Sequence, residues 1–105
     1  MKTLFRPQFW FDLEEGVVYL AEKASADIAT SWHEEVMAAV KKIERQPDLG
    51  RIRHELRPDG IRSLVLRRYP RYLLFYRLDG DTIEILRIKH GMMNLPPLFD
   101  PPRLS

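Results

Sequence analysis

Apolar positions follow two different rhythms along this chain. In the first half they recur at spacings of three and four; in the second they crowd into short runs rich in aromatic and β-branched residues. Phe9, Leu13, Val17, Leu20 and Ala24 trace one stripe of an amphipathic helix. Pro7 precedes them and suits a first helical turn, where its missing N–H has no intrahelical partner to lose. Lys2 to Arg6, with Leu4 and Phe5, then reads as an N-terminal strand stopped by that proline. Asp12, Glu14 and Glu15 are expected near the helix start, where the helix dipole favours carboxylates. Gly16 costs about 1 kcal/mol relative to alanine inside a helix, and close approach of a second helix explains it.

Ser25 is the expected N-cap of that second helix. Ile28, Trp32, Val36, Ala39, Val40 and Ile43 mark its buried face, and Lys41, Lys42 and Arg45 gather in its last turns, where cations suit the dipole. Pro47 ends it, and Asp48-Leu49-Gly50 forms the exit turn. Two helices joined this closely pack as an antiparallel hairpin. Residues 50–60 read as a loop closing on the turn Pro58-Asp59-Gly60.

Three strands follow: Ile61 to Leu66, Tyr72 to Leu78 and Thr82 to Lys89. Arg67 to Arg71, with Pro70, links the first two; Asp79-Gly80 makes a tight hairpin turn; Gly91 breaks the last strand. Leu73 and Phe75 alternate with Leu74 and Tyr76, so both sheet faces are apolar, and the face turned from the helices needs a cover of its own. The tail, residues 94–105, carries Pro96, Pro97, Pro101 and Pro102 and reads as extended. Its apolar residues, with Met92 and Met93, are expected to dock on the same chain and shield that face. The fold class is α+β, in one domain over residues 1–93 followed by the tail.

Charge divides the chain. Residues 1–50 hold six Lys/Arg and nine Asp/Glu, whereas residues 51–105 hold eleven and six. A basic second half calls for an acidic partner, either nucleic acid or a protein segment. Arg62, Arg67, Arg68 and Arg71 form the expected partner-binding rim, since guanidinium forks pair with carboxylates or phosphates. Tyr72 and Tyr76 alternate onto one face, suited either to stacking on bases or to packing with a hydroxyl at the edge. Arg87 is expected to bridge to a carboxylate or to join the rim, and Tyr72, Tyr76 and His90, which ends a strand at a turn, complete the expected partner-binding set.

Other chemistry is poorly represented. There is no cysteine, so disulfides and thiol chemistry are excluded, and a cytoplasmic location is expected. No apolar run of about 18 residues is present to span a membrane, and the N-terminus lacks the pattern of a signal peptide. His33 and His54 have no ligand-like spacing, the pairs Glu14-Glu15 and Glu34-Glu35 point to diverging helix faces, and no glycine-rich phosphate loop occurs. No metal, cofactor or catalytic set is expected.

The order strand, helix hairpin, three antiparallel strands resembles the RelE/ParE superfamily of bacterial toxins. The resemblance rests on Asp12-Leu13, Val17 and Tyr19-Leu20 in the first helix, then on Pro47 with Gly50-Arg51. It continues through Gly60-Ile61-Arg62, Tyr72 with Phe75-Tyr76-Arg77, and Ile83-Glu84-Ile85-Leu86-Arg87-Ile88 with His90-Gly91. The segment FDLEEGVVYLAEKAS is similar to the ParE branch. The resemblance implies a toxin of a type II toxin–antitoxin pair, held by a cognate antitoxin, linked to plasmid maintenance and acting on DNA gyrase by binding it. The RelE branch instead cuts mRNA on the ribosome with basic residues that stabilise phosphate charge. Here Leu73 stands where that branch places an arginine, Met92 and Met93 follow the His-Gly corner where both branches carry arginine, and Phe99 lacks a tyrosine's hydroxyl. A gyrase-binding toxin is therefore the leading expectation, with a ribosome-dependent endonuclease and a degenerate, non-toxic relative as alternatives. Direct nucleic-acid binding is not expected.

Overall fold

Arg6, in extended conformation, turns the chain directly from a strand into a helix that begins at Pro7. The computed structural model describes residues 1–91 and contains β1 (Lys2–Phe5), α1 (Pro7–Lys23), α2 (Ala26–Arg45), β2 (Arg51–Ile52), β3 (Ile61–Val65), β4 (Tyr72–Asp79) and β5 (Thr82–His90). The strands form one sheet in the order β1-β5-β4-β3-β2, with β1 parallel to β5 and the other pairs antiparallel. The expected strand, helix hairpin and three-stranded meander are all present. Among the described residues, no helix is long and apolar enough to cross a membrane. Met92, Met93, Phe99 and the proline-rich tail lie outside the described residues.

Ser25 caps α2 as expected, its hydroxyl accepting from the Ile28 N–H at 3.1 Å. The apolar faces of the two helices meet over one side of the sheet. Phe9, Leu13, Trp32, Val36, Val40 and Ile43 pack there against Leu74, Tyr76, Ile83, Ile85 and Ile88. Gly16 explains how the helices approach: a Cβ there would lie 2.4 Å from Cη2 of Trp32, so the indole occupies the space a side chain would need. Ile28 departs from its expected place. It is exposed in the first turn, and Ala29 takes the buried position.

Strand β5 carries its inward residues Ile83, Ile85 and Ile88 at spacings of two and then three, which plain alternation does not allow. A β-bulge reconciles them. Phe75 pairs with Arg87 and Tyr76 with Ile85, so Leu86 is the extra residue and packs on the opposite face. The hairpin loop lies one residue beyond the sequence reading. Asp79 pairs with Thr82, leaving Gly80 and Asp81 as central residues, with Gly80 at φ +60°.

The face turned from the helices is covered by the segment read as a plain loop. Arg51 and Ile52 form a short edge strand on β3, and Leu56 folds back, 1% exposed, onto Ile61 and Phe75 with Leu73 and Leu86 beside them. Arg53 lies over the Phe75 ring, 5.9 Å from its centroid, and donates to the Ser63 hydroxyl at 3.2 Å. The second cover thus comes from within the described chain, between β2 and β3.

Candidate partner-binding surface

Two of the candidate residues serve the interior. Tyr76 is fully buried; its hydroxyl donates to the Pro47 carbonyl and accepts from the Gly50 N–H, both at 2.7 Å. Burial raises its pKa, the Gly50 hydrogen bond and the Arg62 charge offsetting part of that rise. Arg62, its cross-strand neighbour on β3, donates to the carbonyls of Asp48 and Gly50 at 3.2 and 2.7 Å. Gly50 is required by this arrangement, because a Cβ would lie 2.7 Å from the Tyr76 ring. Together these residues fasten the α2 exit turn to the sheet, and the Tyr76 ring is not presented for stacking on bases.

Arg87 holds α1 against the outer end of β5. Its Nε and Nη2 donate to the two oxygens of Asp12 at 2.7 and 2.9 Å. Those bonds keep the guanidinium charged and raise its pKa against the opposing effect of burial. Among the described residues no strand neighbours the edge of β5 beyond Phe5, and Asp12 occupies that position: Oδ2 accepts the Ile88 N–H at 3.2 Å, and Lys89 Nζ lies 3.1 Å from Oδ1. Asp12 belongs to the second helical turn rather than the start, and it is an ion-pairing anchor rather than a dipole partner. Its place between Phe9 and Leu13 on the buried stripe was the signal for this in the sequence.

The remaining candidates reach the surface. Arg67 and Arg68 are exposed on the β3–β4 connection, and the Arg68 N–H donates to Glu35 of α2 at 2.6 Å. They border a groove between α2 and β3, floored by Ala38, Leu49, Leu64 and Val65 and edged by Glu34, Glu35 and Lys42. Arg71 is exposed beside a smaller hollow with Pro70, Leu73 and Gly91, and its carbonyl accepts the Gly91 N–H at 2.6 Å. Tyr72 and His90 pair across the strand end, ring edge to ring face at 5.4 Å, and Trp32 meets Tyr72 edge to face at 5.2 Å. These three rings, with Gly16 and Tyr19 of α1, line a cleft of roughly 570 Å³. Burial, and then the nearby Tyr19, raises the Tyr72 pKa, so its hydroxyl stays a neutral hydrogen-bonding group.

A second buried carboxylate escaped the sequence reading. Glu84 of β5 accepts from Arg6 at 2.9 and 3.1 Å and from Arg77 at 3.2 Å. Burial pushes its pKa up, but the Arg6 and Arg77 hydrogen bonds and charges outweigh it and hold the carboxyl below its usual range. A lone glutamate in an isoleucine-rich strand was the available signal. The basic segment therefore spends Arg62, Arg77 and Arg87 on holding the fold and leaves Arg67, Arg68 and Arg71 to the solvent. Among the described residues, no group of three or more His, Asp or Glu side chains is arranged to hold a metal ion.

Comparison with known proteins agrees with this architecture. A structure of the chromosomal ParDE TA system from P. aeruginosa superposes with TM-score 0.73, covering 86% of this chain and 95% of that one at 22% identity. The YoeB/ParE toxin from Agrobacterium tumefaciens covers 86% of this chain and 98% of its own, with TM-score 0.59 and 16% identity. At those identities the likeness establishes the fold alone. The sequence carries the family: toxin ParE3 of Caulobacter vibrioides is 31% identical over 84 residues, 80% of each chain. Residues 4–95 match the family described as the ParE toxin of type II toxin-antitoxin system, parDE. The chain thus belongs to the ParE toxins of type II toxin–antitoxin systems, and that membership implies an antitoxin as its partner.

Proposed function

We propose that this protein acts in the cytoplasm as a toxin that inhibits DNA gyrase by binding it, and that a cognate antitoxin neutralises it. The observation that carries this reading is the use of the sheet face turned from the helices. Leu73 stands where a ribonuclease of this superfamily would place a charge-stabilising arginine, and it packs with Leu56, Ile61 and Phe75. The Tyr76 hydroxyl, a candidate proton donor, is held between Pro47 and Gly50. A face buried under the chain's own loop, with leucine in the arginine's place, lacks the groups that would stabilise charge on a phosphate, which favours action by binding. The exposed Arg67, Arg68 and Arg71 add positive charge, which suits an acidic antitoxin segment. The gyrase target rests on ParE membership.

The test is a supercoiling assay with purified gyrase. The toxin is expected to block supercoiling or trap cleaved DNA, and stoichiometric antitoxin is expected to restore activity. Normal supercoiling at saturating toxin overturns the gyrase assignment. Cleavage of mRNA in a translation extract would replace it with the endonuclease.

A further inference from the structure

We draw no further inference here: the strongest candidate, the aromatic cleft lined by Tyr19, Trp32, Tyr72 and His90 between α1 and the end of β5, carries nothing, because its unpartnered Trp32 indole N–H is sealed from solvent and cannot meet a ligand, and nothing in the structure shows what covers the apolar remainder.

Discussion

Asp12 and Arg87, 75 positions apart in the chain, form a two-pronged ion pair with contacts of 2.7 and 2.9 Å that ties α1 to β5. The Asp12 side chain is 4% exposed and that of Arg87 16%, so solvent screens the pair only weakly. Removing one partner leaves the other charge buried, a loss on the order of 3 kcal/mol. Asp12→Ala should therefore lower stability by about 2–4 kcal/mol in urea unfolding. Asp12→Asn should cost nearly as much, because an amide cannot serve Arg87, Lys89 and the Ile88 N–H at once. A double-mutant cycle with Arg87→Met should return a coupling above roughly 1 kcal/mol. A cycle near zero would reduce the pair to two independent surface groups.

The contact between Gly16 and Trp32 makes a second prediction with an internal control. Gly16→Ala gains about 1 kcal/mol of helix propensity in an ordinary helix. Here the new methyl would meet Cη2 of Trp32 at 2.4 Å, and overpacking of that kind costs about 1–3 kcal/mol. The clash should win, giving a net loss in denaturation midpoint. Gly16→Ala/Trp32→Phe shortens the ring and should recover the propensity gain relative to Trp32→Phe alone. If Gly16→Ala stabilises the wild-type background, the helices have room that the packing denies.

Acid should act through Glu84. Its carboxyl pKa lies below the ordinary 4.5 because Arg6 and Arg77 outweigh burial. A carboxylate depressed in the folded state contributes stability that is complete above the unfolded pKa and is lost as pH falls through the folded one. Unfolding free energy should therefore be flat from pH 7 to about 5 and decline below that. In Glu84→Gln this acid limb should be shallower, on top of a lower plateau, since Arg6 loses its carboxylate and Arg77 keeps only Asp79, at 4.0 Å. Parallel pH profiles for the two proteins would show that other groups set the limb.

What could be read in the sequence was whatever local periodicity or turn chemistry decided. Pro7, Ser25, Pro47 and the 3.6-residue stripes placed both helices, and the Gly80 turn placed the last hairpin to within one residue. What escaped was decided by contacts distant along the chain. The segment from Arg51 to Gly60 has a loop's composition, and only the apolar outer sheet face reveals why Leu56 is buried. The β5 bulge was written in the uneven spacing of Ile85 and Ile88, but a strand read by alternation passes over it. Among the candidate binding residues, arginine content alone does not separate Arg87, bound to Asp12, from Arg67, open to solvent. Whether a guanidinium is free depends on which carboxylate the fold brings to it.

That distinction yields the last prediction, which separates fold from function among the candidate residues. The Tyr76 hydroxyl holds Pro47 and the buried Gly50 N–H. Tyr76→Phe should thus cost about 1–2 kcal/mol of stability, mostly from the stranded N–H. It should leave toxicity unchanged in cells grown cool enough to keep the variant folded. Arg67→Glu/Arg68→Glu should do the reverse: stability within about 0.5 kcal/mol of wild type, since both side chains are exposed, and a lower affinity for the antitoxin. Growth inhibition on induction, melting temperature and antitoxin titration for the two variants form one experiment. Loss of toxicity in folded Tyr76→Phe would reassign that hydroxyl to chemistry, and with it the protein to the cutting rather than the binding toxins.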